Sequence, residues 1–175
     1  MHSWLVDTNI LISLEKADLL EKFFSLPFEF FIPSTVIDEL KKHEESYVRI
    51  RAAFKEANNV RIKRCGSEEY IYKIAFVREK RKNLSITDLS LIVLAGELQC
   101  GILTGDKSER IKAEQKGIEV HGLLWVLDQM VCEAKLIAPS EAIEVVESLI
   151  ETYLPEKEKR LYIDKWKNLC RQFDG

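Results

Sequence analysis

The chain has 175 residues, of which 46% are hydrophobic and 31% are charged, and its net charge is -3. This length suits one packed domain with a short appendage and excludes two full domains. The composition is that of a globular protein, and the low content of Gly and Pro favours helices. No apolar run approaches the roughly 20 residues that span a bilayer, and residues 1–7 lack a basic stretch followed by an apolar core. We therefore expect a cytoplasmic protein without membrane contact.

Strands and helices alternate at the start of the chain. The short apolar run Trp4–Val6 predicts a strand. Apolar residues at helical spacing from Ile10 to Phe24 predict one helix after it. The run Phe28–Ile32, rich in aromatic and β-branched residues, predicts a second strand, and Pro33 suits the first turn of the next helix.

The same alternation continues to about residue 122. Alternating strands and helices predict an α/β fold, in which a central parallel sheet is flanked by helices on both faces. Further strands are expected at Val60–Ile62, Gly101–Thr104 and Ile118–Val120, and further helices at Glu44–Asn58, Ser67–Asn83, Ser85–Leu98 and Lys107–Lys116.

Residues 135–175 carry no strand signal, and we interpret them as a helical extension packed on a domain of residues 1–134. One helix is expected from Gly122 to Ala134, another from Pro139 to Tyr153 and a last one after Pro155. Two alternatives stay open for the apolar stripes of this extension: they pack on the core, or they form a homodimer face. The stripes contain Ile143, Val146, Leu149, Ile150, Leu161 and Trp166.

Four acidic residues lie near the edge where the predicted strands end. Asp7 and Asp106 directly follow two strands. Glu39 lies about two turns into a helix after a third strand, and Asp88 lies in the first turn of another helix. Each acid also has a structural interpretation as a helix cap or a solvated surface residue, and the spacing of Asp106 and Glu109 is that of a capping box. Because open parallel sheets bind ligands at this edge, the joint placement favours one acidic pocket.

A pocket of four carboxylates predicts a bound cation. Clustered carboxylates repel one another, and burying them together is costly unless a cation neutralises them. The four cysteines and three histidines show no zinc-ligand spacing, which leaves oxygen ligands. Oxygen ligands suit Mg²⁺ or Mn²⁺, which activate water and stabilise charge on a phosphate group.

Four segments contain these acids. They are Val6–Ile12 with Asp7, Ile32–Leu40 with Glu39, Ser85–Ala95 with Asp88, and Leu103–Ser108 with Asp106. In order and spacing they resemble the motifs of PIN-domain ribonucleases. The resemblance covers about residues 3–130 and implies a Rossmann-like sheet. It also implies cleavage of single-stranded RNA that leaves a 3'-hydroxyl.

The same resemblance implies roles for individual residues. Asp7, Asp88 and Asp106 are the expected metal ligands, direct or bridged by water. Glu39 is the expected outer ligand, or the residue that orients the attacking water. Polar support for these carboxylates or for the scissile phosphate is expected from Thr8, Asn9, Thr104 and Ser108.

Two positions depart from the family pattern. Asp38 stands beside Glu39 but should point about 100° away on the helix, so we assign the second motif to Glu39. Lys107 follows Asp106 where many members carry another acid or an amide. This second departure leaves one or two metals as alternatives.

The segment from Ala134 to Gly175 resembles the helical extension of a subgroup similar to toxins of VapC-type toxin-antitoxin pairs. This looser resemblance implies an antitoxin protein as a partner. A role as an RNA-processing nuclease is the alternative.

The middle of the chain is basic. Residues 41–82 contain thirteen Lys or Arg and six Asp or Glu, a local balance of +7. We predict that this segment contacts RNA phosphates beside the acidic pocket, and the alternative is a solvated helix surface. The predicted RNA-binding residues are Arg49, Arg51, Arg61, Lys63, Arg64, Arg78, Lys80, Arg81 and Lys82.

Two other functions fit parts of the pattern. A phosphoryl-transfer domain such as a response-regulator receiver also gathers acids at strand ends, but His121 stands where its lysine is expected. The Asp-x-Asp motif of haloacid-type phosphatases is missing, because Thr8 and Asn9 follow Asp7. A catalytically silent RNA-binding or scaffold module is expected to lose one or more of the acids, and all four are present. The sequence therefore favours a metal-dependent endoribonuclease.

Overall fold

Five parallel strands form the central sheet. The computed structural model describes residues 2–64, 86–149 and 154–173. The strands are β1 (Ser3–Val6), β2 (Glu29–Pro33), β3 (Val60–Lys63), β4 (Gly101–Leu103) and β5 (Val120–His121). Their order in the sheet is β3-β2-β1-β4-β5, so the first strand lies in the middle. Leu5 of β1 pairs with Phe31 of β2 on one side and with Ile102 of β4 on the other.

Helices cover both faces of this sheet, which confirms the predicted α/β fold. No helix within the described ranges is long and apolar enough to cross a membrane. The described helices are α1 (Thr8–Lys16), α2 (Leu20–Phe24), α3 (Ser34–Leu40), α4 (Glu44–Glu56), α5 (Ile86–Leu98), α6 (Lys107–Glu114), α7 (Leu123–Asp128), α8 (Pro139–Ser148) and α9 (Glu156–Phe173), and a π-helical turn Gln129–Glu133 follows α7.

The strand side chains point alternately into two apolar layers. Trp4 and Val6 belong to the larger layer, which contains α1, α2 and the C-terminal helices, whereas Leu5 belongs to the smaller layer with α5. Strands buried on both faces are apolar throughout, as parallel strands between helices require. A Cβ at Gly101 would lie 2.2 Å from Cζ3 of Trp4. Glycine at position 101 therefore lets β4 pair with β1 beside that large ring.

The C-terminal helices pack on the larger layer. Trp166 of α9 is fully buried, and its Nε1 donates a hydrogen bond of 3.0 Å to Oδ1 of Asp128. The Nζ of Lys165 lies 2.8 Å from the other oxygen of Asp128. Leu161, also part of the predicted stripes, is instead 69% exposed, and Ile150 lies outside the described residues. Most of the described stripe thus contacts the same chain, while the domain division at residue 134 stays a prediction.

Two predicted element boundaries are wrong in the core. The single helix expected over Ile10–Phe24 is two helices, because the chain turns at Asp18, whose φ is 56°. The fifth strand begins at Val120 rather than at Ile118. The N–H of Ile118 donates to the carbonyl of Ala113 and thereby closes α6 instead of joining the sheet.

Smaller corrections concern helix ends. The helix expected to reach Ala134 changes to π-helical hydrogen bonding, since the N–H of Ala134 donates to the carbonyl of Gln129, five residues earlier. Pro33 precedes α3 as its N-cap residue rather than lying in its first turn. The predicted helix Ser67–Asn83 and Ser85 lie outside the described residues.

Candidate active site

Asp7 stands at the carboxyl end of β1 and is 5% exposed. It caps α1, since its Oδ1 accepts a hydrogen bond of 2.7 Å from the backbone N–H of Thr8. Its Oδ2 accepts hydrogen bonds from the Thr104 hydroxyl, over 2.9 Å, and from the Asn9 amide. All these donors are neutral groups. They fix the carboxylate in place without neutralising its charge.

Asn9 and Thr104 join the ends of the neighbouring strands β1 and β4. The Oδ1 of Asn9 accepts a hydrogen bond of 2.8 Å from the N–H of Gly105. The hydroxyl oxygen of Thr104 accepts one of 3.1 Å from the N–H of Asp106. These contacts bring Asp7 and Asp106 to the same edge of the sheet, where the strand order places the carboxyl ends of β1 and β4 side by side.

Glu39 reaches the same edge from α3. The Thr8 hydroxyl donates a hydrogen bond of 2.8 Å to Oε2 of Glu39, and the charge of Glu39 acts to raise the pKa of Asp7. Asp38 is exposed, and its Oδ1 lies 2.7 Å from Nζ of Lys41. The structure therefore turns Glu39 toward Asp7 and turns Asp38 away from it.

Asp88 comes from the first turn of α5. Its side chain is half-buried, and its charge acts to raise the pKa of both Asp7 and Glu109. A hydrogen bond of 2.6 Å between the hydroxyls of Thr35 and Ser90 joins α5 to α3. Because Ser90 is fully buried, this bond holds the helix that carries Asp88 against the helix that carries Glu39.

Asp106 is exposed and caps α6. Its Oδ1 accepts a hydrogen bond of 2.8 Å from the backbone N–H of Glu109. Partial burial acts to raise the pKa of Asp106, but the hydrogen bonds from Glu109 and Ser108 outweigh it and leave that pKa below its ordinary value. Asp106 is therefore both the cap that the sequence allows and an ionised carboxylate at the edge of the site.

Glu109 is the site residue that the sequence analysis missed. It is fully buried, and neither of its carboxyl oxygens has a hydrogen-bond partner among the described residues. Only half of the predicted capping box forms, because the N–H of Asp106 donates to Thr104 and not to the Glu109 carboxylate. The signal in the sequence is the spacing itself, since residues three apart lie on the same side of a helix.

Burial dominates the electrostatics of the pocket. It raises the pKa of Asp7 to about 7, against hydrogen bonds from Thr104 and Thr8 that lower it. Burial also raises the pKa of Glu109 well above its ordinary value, and the charge of Asp7 adds to this effect. No Lys or Arg of the described residues forms an ion pair with either carboxylate. Asp7 and Glu109 therefore have no cationic partner among the described residues.

The available donors fit a hard divalent cation that keeps part of its water shell. Within the described ranges, no group of three or more Asp, Glu, His or Cys side chains forms a ready-made metal cluster. Mg²⁺ commonly uses only one or two protein carboxylates and retains several waters, and Mn²⁺ prefers the same oxygen ligands. The carboxyl oxygens of Glu109, which have no hydrogen-bond partner among the described residues, are suitable ligands for such an ion. The carboxylate of Asp7, which has no basic partner there, is suitable as well.

Two residues of the predicted RNA-binding set lie on α4, and both have partners within the protein. The guanidinium of Arg49 forms an ion pair with Glu15, whose side chain is buried. The guanidinium of Arg51 lies over the ring of Tyr47, 5.9 Å from its centroid. Arg49 therefore has a structural role whether or not it contacts RNA.

Two others lie on the edge strand β3. Arg61 donates hydrogen bonds to backbone carbonyls, including that of Asn58 over 2.8 Å. The ammonium of Lys63 lies 4.6 Å from the centroid of the Phe31 ring. Arg64 is exposed, and Arg78, Lys80, Arg81 and Lys82 lie outside the described residues.

A cavity of about 660 Å³ opens beside the acids. Asp106 and Trp125 both line it, and its wall combines polar and apolar side chains. Arg110 reaches across it, with its Nη1 3.7 Å from Oε2 of Glu158. The basic residues that line the cavity are Lys16, Lys107 and Arg110, none of which the sequence analysis assigned to RNA binding.

Comparison with solved structures finds similar folds. A domain of a functionally unknown protein from Methanocaldococcus jannaschii DSM 2661 is 23% identical, with a TM-score of 0.50 over 70% of this chain and 91% of that one. A PilT N-terminus domain protein from Sulfolobus solfataricus P2 is 13% identical, with a TM-score of 0.49 over 75% and 95% of the two chains. VapBC2 from Rickettsia felis, solved with a DNA fragment from its promoter, is 15% identical, with a TM-score of 0.47 over 69% and 98%.

Comparison with family models gives the classification. No curated protein matches the chain. The model of the PIN domain matches residues 3–168, which is nearly the whole sequence and includes all four motif acids. On the strength of this match and of the parallel sheet with acids at its carboxyl edge, the chain belongs to the PIN domain family.

Proposed function

We propose that this protein is a divalent-metal-dependent endoribonuclease that hydrolyses phosphodiester bonds in single-stranded RNA. PIN domains are in general nucleases, and they typically depend on divalent metals. The observation that carries the proposal is the pair of buried carboxylates, Asp7 and Glu109, that no Lys or Arg of the described chain neutralises. Because an unpaired buried charge costs several kcal/mol, this arrangement suits a site that binds a cation.

The proposed roles are those that the family resemblance implies. Asp7, Asp88 and Asp106 hold Mg²⁺ or Mn²⁺ directly or through water. When bound, the ion supplies activation of water and stabilisation of charge on the phosphate. Glu39, which the Thr8 hydroxyl holds in place, orients the attacking water by accepting a hydrogen bond from it.

The polar neighbours keep these carboxylates in position. Asn9 and Thr104 both donate to Oδ2 of Asp7, so removal of either leaves the carboxylate less well fixed. The hydrogen bond from Ser108 helps to lower the pKa of Asp106, after the backbone hydrogen bond from Glu109. Polar groups around metal ligands commonly change metal affinity or activity by about 10- to 100-fold when they are removed.

Cations near the pocket offset its repulsion of RNA. Lys16, Lys107 and Arg110 line the cavity beside Asp106, where they are suitable for contacts with the phosphates that flank the cleaved bond. The basic segment 41–82 is proposed to extend these contacts.

The basic segment is tested by changing three of its residues together. With Arg78, Lys80 and Arg81 replaced by Ala, RNA affinity should fall, and the slope of log affinity against log salt should decrease by up to about three units. The measurement is a fluorescence-anisotropy titration of labelled single-stranded RNA at several salt concentrations. Unchanged affinity and slope would assign this segment to the solvated surface.

The central experiment measures cleavage of a generic single-stranded RNA with Mg²⁺ or Mn²⁺ and with chelator. We expect cleavage by the parent protein that stops with chelator. Asp7→Asn, Asp88→Asn and Asp106→Asn should each reduce the rate by at least about 100-fold. Asn keeps the side-chain size and caps helices about as well as Asp, so the fold should survive.

Asp38→Asn is the matched control, because Asp38 lies next to a site acid in sequence but is exposed and paired with Lys41. It should cleave at the parent rate, whereas Glu39→Gln should slow cleavage more than it weakens metal binding. Equal damage from the two changes would show that the second motif is wrongly assigned.

The catalytically silent alternative is decided by the same assay. A parent protein that binds RNA but cleaves none with either metal is an RNA-binding or scaffold module. Asn variants that cleave like the parent would instead show that the acids are helix caps.

A further inference from the structure

Two stacked aromatic rings line the cavity beside Asp106. The rings of His121 and Trp125 are nearly parallel, at 7°, and their centroids lie 4.2 Å apart. Phe28 also stacks on Trp125, at an interplanar angle of 21° and a centroid distance of 5.9 Å. The other ring contact of His121 among the described residues is an edge contact with Trp4. The parallel stack of described rings therefore ends at His121, whose side chain is 28% exposed.

His121 lies one strand away from the candidate active site. It pairs with Leu103, and its carbonyl accepts a hydrogen bond of 2.9 Å from the N–H of Thr104, two residues before Asp106. Neighbouring strands of a sheet are about 4.8 Å apart. A nucleotide whose phosphate lies at Asp106 therefore has its base within reach of the His121 ring.

Glycines stand beside both Asp106 and His121 at this edge of the sheet. Gly105 precedes Asp106, Gly122 follows His121, and both glycines line the cavity. A Cβ at Gly122 would lie 3.4 Å from Nη1 of Arg110. Because no side chain covers the backbone at these two positions, a ligand can approach it closely between Asp106 and His121.

The size and lining of the cavity suit one nucleotide. Its volume of about 660 Å³ lies within the range of about 300 to 1,000 Å³ that small-molecule sites occupy. Apolar side chains from three helices line it, including Ile12 of α1, Leu123 of α7 and Tyr162 of α9. A nucleobase has apolar faces and polar edges, so a wall that combines both kinds of side chain matches it.

The charges of α6 are complementary to a phosphate at the end of the helix that lies beside Asp106. Lys107 is its first residue, Arg110 follows one turn later, and both line the cavity. The acid Glu114 stands at the opposite end of this helix and is exposed. The remaining acid of the wall, Glu158, lies 3.7 Å from Arg110. The cations thus lie where the RNA backbone enters from the candidate active site.

We infer that this cavity binds one unpaired nucleotide of the RNA beside the cleaved bond, with its base stacked on His121 and its phosphate at Lys107 and Arg110. The inference rests on the proposed function and deepens it, because it states how the substrate is held. Proteins that bind single-stranded RNA stack unpaired bases on aromatic side chains, including His, and such stacking tolerates any base. A base inside a duplex stays stacked on its neighbours, so the cavity selects single strands.

The test compares AMP with ribose 5-phosphate as probes of the full chain in chelator. Ribose 5-phosphate has the sugar and the phosphate without the base. Dissociation constants come from chemical-shift titrations of isotope-labelled protein, which include the indole N–H of Trp125. We expect AMP to bind about 5- to 100-fold more tightly than ribose 5-phosphate, as one stacked base requires. Saturation-transfer spectra should place the adenine protons closer to the protein than the ribose protons.

His121→Leu removes the ring and keeps an apolar side chain in β5. It should lower the affinity for AMP about 5- to 100-fold, to that of ribose 5-phosphate. His121→Phe keeps a ring and should bind AMP like the parent. Trp125→Leu removes the ring on which His121 stacks, and it should also weaken AMP binding if His121→Leu folds poorly.

Phe54→Leu is the matched control. Phe54 is a half-buried ring on α4 that packs against Phe24 and does not line the cavity. Its removal should leave the affinities for AMP and for ribose 5-phosphate unchanged.

The outcomes separate this inference from the proposed function. If AMP binds no more tightly than ribose 5-phosphate, or if His121→Leu binds AMP like the parent, the inference is overturned even when RNA is cleaved. If AMP binding depends on a ring at position 121 and no RNA is cleaved with either metal, the inference holds and the endoribonuclease proposal falls. Equal loss of AMP binding in His121→Phe and His121→Leu would assign the effect to the contact of the imidazole with Glu119, and it would overturn stacking.

Discussion

The described part of the chain buries four carboxylates, and they form two contrasting pairs. Glu15 and Asp128 lie between helices, and each accepts from a basic side chain, Arg49 and Lys165 respectively. Asp7 and Glu109 lie at the carboxyl edge of the sheet, and neither has a basic partner in that part of the chain. The protein thus pairs the acids between its helices with basic side chains and leaves the two at the candidate active site without a basic partner among the described residues. Such an arrangement suits a cation-binding pocket.

The largest expected effect comes from removing the two C-terminal helices, of which α9 is held by the Asp128 contacts. Truncation after Ala138 deletes α8 and α9, including the fully buried Trp166. Each large apolar side chain that is buried there contributes about 1.5 to 3 kcal/mol, so several together approach the whole stability of a domain. We expect aggregation, or a melting temperature far below that of the parent, in circular dichroism and size-exclusion chromatography. A soluble truncated protein with the parent's melting temperature would contradict packing of the extension on the core.

A smaller loss is expected when one structural acid is changed. Asp128→Asn removes the charge that pairs with Lys165 and weakens the hydrogen bond from Trp166. Because Lys165 is half-exposed and can regain water, we expect a loss of about 1 to 3 kcal/mol in the free energy of unfolding rather than the full cost of a stranded buried charge. Urea denaturation measures this change. Stability equal to that of the parent would remove the distinction between the two pairs of acids.

In metal-free protein, Asp7→Asn should raise the free energy of unfolding, whereas Asp128→Asn should lower it. Burial raises the pKa of Asp7 to about 7, so the folded state favours the protonated form more than the unfolded chain does. Stability is then greatest below about pH 4 and is lost as the pH rises through about 7, with a slope of up to about 1.4 kcal/mol per pH unit. With chelator present at pH 8, Asp7→Asn should therefore be more stable than the parent.

The control for this prediction is the pH profile itself. Between about pH 4 and 8, the parent should lose stability in chelator, and saturating Mn²⁺ should restore it at pH 8. Asp7→Asn should show a flatter profile and little response to Mn²⁺. A parent profile that is flat or rises over this range would contradict the burial of an uncompensated carboxylate at position 7.

The contrast between the two pairs also explains what the sequence could and could not predict. Asp7 and Asp106 could be assigned to the site from the sequence, because each directly follows a short apolar strand and strand ends meet at one edge of a parallel sheet. Glu109 could not be assigned in this way, because its spacing from Asp106 fits a capping box equally well. Only the packing of α6 shows which way its carboxylate points. The pairing of Glu15 with Arg49 joins residues 34 apart in sequence, so no local pattern reveals it.

The break between α1 and α2 had a similar cause. Leu14, Leu19 and Phe23 all face the larger apolar layer, so their spacing continues across the turn at Asp18 as if one helix carried them. Apolar periodicity records which layer a residue enters and not whether the backbone between two residues stays helical. The correct layer was therefore predictable, and the left-handed turn was not.

The smallest expected effect concerns RNA affinity and the basic residues of the cavity beside Asp106, which do not pair with Glu15 or Asp128. Arg110 lines the cavity beside Asp106, and its Nη1 lies 3.7 Å from Glu158, a partly exposed pair worth at most about 1 kcal/mol. If Arg110 contacts an RNA phosphate, Arg110→Met should flatten the salt dependence of RNA affinity by about one unit of slope.

Glu158→Gln should increase RNA affinity by no more than about fivefold, because the Arg110 guanidinium then has no competing carboxylate. Arg160→Met, on the exposed side of α9, is the control and should change neither quantity. Anisotropy titrations in chelator, which prevents cleavage, give all these values, and equal results for Arg110→Met and Arg160→Met would place the RNA path outside this cavity.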